Sequence, residues 1–167
     1  MIKTIEFPKE AGVEYPLFQA EGFASRFAFP FAKEVCSGIG YDIGYCKEEW
    51  KFPGAIGIDP SVDDRFSAHN LPETIVDYIF SSHCLEHLDN WVDALDHWTS
   101  RLKKGGTLFL YLPDFSQEYW RPWFNRKHKN IFSAEIVAQY LTSNGYRKVF
   151  KSGVDLNNSF MVMGEKK

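Results

Sequence analysis

The run His83-Cys84-Leu85-Glu86-His87 sets two imidazoles around a carboxylate within five residues. On a helix, His83 and His87 would share a face and could hold a zinc ion, with Glu86 as general base for hydrolysis. That chemistry needs a long helix beneath the motif and a third ligand from elsewhere. Here the motif directly follows Val76-Asp77-Tyr78-Ile79-Phe80, a β-branched and aromatic strand pattern. A plainer reading makes Glu86 and His87 a hydrogen-bonded pair that steadies a loop. A second group of polar residues falls where short apolar runs end: Asp42, Gly44, Tyr45 and Cys46; Asp59; Ala68, His69 and Asn70; Ser81, Ser82 and His83. A carboxylate ending a strand, as Asp59 does, can accept from both hydroxyls of a ribose. The third group is Tyr119, Trp120, Arg121, Trp123 and Arg126, with Lys127, His128 and Lys129 beside it. Aromatic faces stack on sugar rings or bases, and arginine forks a phosphate or carboxylate.

The elements that must position these groups alternate between two periods. A helix is expected from Pro16, with Phe23 and Phe27 one turn apart, until Pro30 breaks it. Pro30 then suits the first position of a second short helix, which Gly38 stops. Strands are expected at Tyr41–Tyr45 and Ala55–Asp59, a weaker one at Phe66–Ala68, and further ones at Val76–Phe80 and Thr107–Leu112. Trp91, Leu95, Trp98 and Leu102 recur at helical spacing, with Asp89 or Asn90 as N-cap. Ser133 caps a helix carrying Ile136, Val137, Tyr140 and Leu141, which Gly145 stops. Tyr146–Val149 and Ser159–Met163 have no room between them for a crossover helix and should pair antiparallel. The pattern predicts a doubly wound α/β sheet of seven strands, mostly parallel, with an antiparallel terminal strand. Ligands of such sheets bind beyond the carboxyl ends of the strands. Gly38-Ile39-Gly40 does not serve as a dinucleotide fingerprint, because it precedes its strand.

From about Gly40 to Asp114 the chain resembles class I S-adenosylmethionine-dependent methyltransferases. Six collinear pieces carry the resemblance: Asp42-Ile43-Gly44-Tyr45-Cys46, Ile58-Asp59, Asn70-Leu71-Pro72, Asp77-Tyr78-Ile79-Phe80, Leu85-Glu86-His87 and Leu102-Lys103-Lys104-Gly105-Gly106. The resemblance implies a Rossmann-like fold and S-adenosylmethionine as cofactor. It places Asp42, Gly44, Tyr45 and Cys46 around the methionine part, Asp59 on the ribose, and Ala68, His69 and Asn70 along the adenine. Ser81, Ser82 and His83 would close the pocket under the sulfonium. Cys46 stands where the family has a second glycine, so a different turn is expected there. Ser67 stands where the family often has Asp. The connector from Cys46 to Gly54 is too short for a full crossover helix.

One domain is expected over 1–167: an N-terminal helical cap (1–39), a cofactor-binding half (40–113), an acceptor loop (114–132), and a helix with the terminal strand pair (133–167). The acceptor loop carries Tyr119, Trp120, Arg121, Trp123 and Arg126 as substrate-binding candidates. His83, His87 and His128 are candidate bases for an acceptor that still carries its proton. The acceptor is expected to be a small molecule or glycan, sugar-bearing or anionic, and methyl transfer itself calls for no metal. The alternatives are a non-catalytic S-adenosylmethionine- or nucleotide-binding module and, behind it, the zinc hydrolase on His83, Glu86 and His87. Nineteen basic against 22 acidic residues give the 167-residue chain a net charge of −3, which argues against a generally basic nucleic-acid binder. No apolar run approaches the roughly 18 residues that span a bilayer, and three cysteines are too few and odd for a disulfide framework. A cytoplasmic location is expected, and the oligomeric state is left open.

Overall fold

A computed structural model describes residues 22–167 and the backbone of two short paired strands, β1 (Lys9–Glu10) and β2 (Val13–Glu14). The helix start expected at Pro16 lies outside the described residues. Phe23 does not continue any helix: Gly22 (φ 74°) and Phe23 (φ 53°) are both left-handed, and only a 3-10 turn, Ala24–Phe27, follows. Helix α1 (Phe29–Val35) carries Pro30 in its first turn, where the missing N–H costs nothing.

The main sheet has six strands in the order β4-β3-β5-β6-β8-β7. These are β3 (Gly40–Ile43), β4 (Ile56–Ile58), β5 (Val76–Ser82), β6 (Leu102–Pro113), β7 (Tyr146–Lys151) and β8 (Ser159–Lys166). β3 through β6 pair in parallel, and β8 runs antiparallel between β6 and β7. The doubly wound class and the terminal hairpin therefore stand, with six strands in place of seven. Phe66–Ala68 is reduced to one bridge, between Ser67 and Asn70. Backbone groups that a strand would use there are engaged by the second helix, α2 (Trp91–Arg101): Trp98 Nε1 donates to the Ala68 carbonyl (2.7 Å), and Leu71 N donates to His97 Nε2 (3.0 Å).

β6 starts at Leu102, earlier than the expected Thr107, because Leu102 pairs with Val76 across a bulge. Between β3 and β4 only a 3-10 turn, Glu48–Trp50, fits the short connector. Asn90 caps α2 and Ser133 caps α3 (Ala134–Ser143), each side chain accepting a first-turn N–H. The sheet is covered on both faces. One core joins Trp98, Leu95, Leu108, Leu110, Val137 and Leu141; the other joins Ala28, Ala32, Phe52, Tyr78, Phe80 and Phe109. Ten aromatic side chains are buried in these two cores, with Phe52 and Phe80 stacked at 4.9 Å. All loops at the carboxyl ends of β3, β4, β5 and β6 open on one edge. No helix among the described residues is long and apolar enough to cross a membrane.

Candidate functional site

A cleft of about 850 Å³ lies along that edge, a size within the range of small-molecule sites. Its floor is the turn after β3. Gly44 (φ 83°) donates its N–H to the Ile58 carbonyl (2.8 Å), and a Cβ there would meet Cys84 Cβ at 2.6 Å. The glycine is thus required by the Cys84 side chain of the β5 loop, as well as by its backbone. Cys46 (φ 67°) keeps the left-handed conformation that a glycine would take. Its N–H donates to Asp59 Oδ2 (3.0 Å), tying the β3 and β4 loops together. Asp59 Oδ1 accepts from Ser61 N and Oγ, so part of the carboxylate remains open toward the cleft.

Asp42 lines the cleft at 2 % exposure and accepts from Phe52 N (2.6 Å). Burial raises its carboxyl to about 7, against the lowering pull of the Phe52 N–H and Lys51. This is a carboxylate short of positive charge, and a ligand ammonium would supply it. Tyr45, Ser82 and His83 also line the cleft, as do Ala68 and His69 at its far end. Two expected members do not. Ser81 is fully buried with its hydroxyl on the Ile43 carbonyl (2.8 Å), because its side chain points across the sheet. Asn70 turns its amide to the Arg65 carbonyl (2.9 Å) within the 67–70 turn.

The other end of the cleft is built from the β5 and β6 loops. Leu85–His87 is a single 3-10 turn, and His83 is left-handed (φ 50°), so His83 and His87 do not share a helical face. The helical zinc-hydrolase arrangement is therefore not formed. His83 Nε2 bonds Ser159 Oγ (3.0 Å) and its ring packs edge-on to Trp120. Burial, with His128 and His87 nearby, holds the His83 imidazole well below its usual range. Glu86 is fully buried, and burial raises its carboxyl to about 7. His87 Nδ1 lies 2.8 Å from the Lys127 carbonyl and donates to it, which leaves Nε2 as the lone-pair nitrogen. His128 packs against His87 (4.7 Å between rings); burial, then His87, lowers it to about 3. Ligand atoms of Glu86, His87 and His128 all lie within 4.8 Å of one another.

The acceptor loop divides. Tyr119 and Trp120 line the cleft, Trp120 at 4 % exposure. Arg121, Trp123 and Arg126 do not. Arg121 donates to the Phe115 carbonyl (3.0 Å) and faces the ring of Trp123, a residue 65 % exposed, and Arg126 is exposed as well. The tight turns through Asn125 and His128 point these side chains away and present Asn125, Lys127 and His128 instead. Sequence reasoning also missed the near wall. Phe23 stacks on Trp50 (6.2 Å, 8°), Lys47 sits 4.4 Å over the Trp50 ring, and Ser25 Oγ donates to the Trp50 carbonyl (3.2 Å). Nothing local in the sequence pairs residues 22–25 with Trp50; only the close approach implied by Gly22 hints at it.

The residues fit an adenosyl amino acid: a buried carboxylate at one end, an acceptor carboxylate at the β4 end, and small or aromatic walls beyond. Comparison with known proteins agrees. Residues 33–150 match the family described as "Methyltransferase domain". No curated protein matches. A structure of a SAM-dependent methyltransferase from Thermotoga maritima, described as a possible histamine N-methyltransferase, superposes with a TM-score of 0.68 at 20% identity, over 87% of this chain and 89% of that one. The N-methyltransferase NodS from Bradyrhizobium japonicum, solved with S-adenosyl-L-homocysteine, gives 0.60 at 16% identity, over 90% and 88%. A SAM-dependent methyltransferase from Archaeoglobus fulgidus gives 0.59 at 18% identity, over 89% and 94%. At these identities the likeness establishes the fold.

Proposed function

Because this chain belongs to the methyltransferase-domain family, we propose that it moves a methyl group from S-adenosylmethionine to an acceptor held between Trp120 and the histidines of the β5 and β6 loops. When bound, the cofactor supplies a methyl group already activated on a positively charged sulfur. The protein's task is then mainly to align donor and acceptor at about 3–3.5 Å and to exclude water. Asp42 would take the ammonium, Asp59 the ribose hydroxyls, and Ala68 and His69 would flank the adenine. Phe23 and Trp50 close the near side.

At the end built from the β5 and β6 loops, Tyr119 and Trp120 present aromatic surface and His83, His87 and His128 present imidazoles, a lining suited to a small acceptor with a ring or hydroxyl. Among the described residues lining this end, Lys127 is a cation, which favours an anionic acceptor. The cluster of Asp42, Asp59 and the Cys46 turn in one cleft carries this reading.

Calorimetric titration with S-adenosylhomocysteine, with NAD as control, tests it. Micromolar binding with NAD silent is expected. Asp59→Ala should weaken binding at least about 100-fold, since each charge-assisted hydrogen bond lost costs about 1.5–3 kcal/mol. Unchanged affinity in that variant would refute the ribose assignment.

A further inference from the structure

The structure assigns Glu86, His87 and His128 to one binding site for a divalent first-row transition-metal ion at the acceptor end of the cleft. Their ligand atoms converge within 4.8 Å, from two separate loops. A metal at about 2.0–2.2 Å from each holds tetrahedral ligands about 3.4 Å apart, so the widest pair would close by up to about 1.4 Å on binding. The loops are locked together at this point, because Lys129 N and Asn130 N both donate to the Glu86 carbonyl (2.7 and 3.1 Å).

Glu86 itself is the second observation. Its side chain is wholly buried, yet neither carboxylate oxygen has a hydrogen-bond partner. The nearest imidazole nitrogens, His83 Nδ1 (3.5 Å) and His87 Nε2 (3.7 Å), make only long contacts to Oε1 and no hydrogen bond. A buried carboxylate left without donors is costly, and a cation satisfies it directly. The imidazoles are held in the manner of metal ligands. His87 donates from Nδ1 to the Lys127 carbonyl, which orients its ring, and the His128 ring packs between those of His87 (4.7 Å) and Trp120 (6.1 Å).

Two imidazoles and one carboxylate favour zinc, cobalt, nickel or iron over magnesium and calcium, which prefer oxygen. Three protein ligands leave at least one coordination position facing the cleft. The metal site stands on its own geometry; giving that open position to an oxygen of the methyl acceptor rests on the reading above.

The test uses the full chain, freed of metal by chelator and titrated with Co2+ without any methyl donor. A single Co2+ per chain is expected, with visible absorption bands that Zn2+ abolishes by displacement. Glu86→Gln and His128→Gln should each weaken binding more than about 100-fold, since even outer-shell replacements cost about 10–100-fold. No uptake by the wild type, or wild-type uptake by either variant melting at the wild-type temperature, would overturn the site. S-adenosylhomocysteine binding by the same metal-free protein is read separately, so a failed donor pocket and a failed metal site give different results.

Discussion

Two neighbouring positions in the β3 turn look interchangeable in sequence and are opposite in physics. Gly44 and Cys46 are both left-handed, at φ 83° and 67°. At Gly44 a methyl group would collide with the Cys84 side chain, whose thiol burial pushes well above its usual range. Gly44→Ala is therefore expected to lose about 2–4 kcal/mol, from overpacking and the left-handed backbone together. Cys46 is exposed and already carries its side chain in that conformation. Cys46→Gly should be neutral or gain up to about 1 kcal/mol, as relief of the backbone offsets glycine's entropy. Urea unfolding of the two variants reads both values, and equal effects would contradict this account of the turn.

At the scale of elements, α2 does more than cover the sheet. Its Trp98 and His97 side chains hold the 67–71 segment by the backbone and so fix the far end of the cleft. Trp98→Phe keeps the buried ring but orphans the Ala68 carbonyl, a loss of about 1–3 kcal/mol. It should also weaken S-adenosylhomocysteine binding without touching Asp42 or Asp59. Melting curves measured beside calorimetry separate the two effects; a destabilised variant with wild-type affinity would mean that α2 does not position the cleft.

For the molecule as a whole, Asp42 makes folding and ligand binding respond to pH in opposite directions. Its folded carboxyl titrates near 7, raised first by burial, whereas in an unfolded chain it ionises near 3.9. Between those values the folded state holds a proton that the unfolded state has released. On this group's account, ligand-free stability is greatest below about pH 4 and falls until about pH 7. Asp42→Asn removes that decline, so the variant should be the more stable at pH 8, by a few kcal/mol at about 1.4 kcal/mol per pH unit, and the gap should close toward pH 5. A ligand ammonium prefers the ionised carboxylate, so wild-type affinity for S-adenosylhomocysteine should rise as pH passes 7. Parallel melting series at pH 5 and 8 check the sign, and a gap that widens at pH 5 would reverse it.

The sequence by itself determined the class of fold, because period-two and period-3.6 apolar patterns record which faces are buried. It also determined the strand-end residues Asp42, Gly44 and Asp59, since a strand's last residue must sit at the sheet edge. It could not decide whether Phe66–Ala68 pairs as a strand, because that depended on Trp98 and His97 taking the backbone groups first. Nor could it decide where the acceptor loop points. Trp120 and His128 turn inward while Trp123 and Arg126 face solvent, and no periodicity marks that difference. The Glu86 environment is the clearest case. Five contiguous residues suggested a metal on a helix, but a 3-10 turn removed His83 from that face and brought His128 from some forty residues away. Local spacing encodes only the chain's own turns; distances between loops are set by the sheet that carries them.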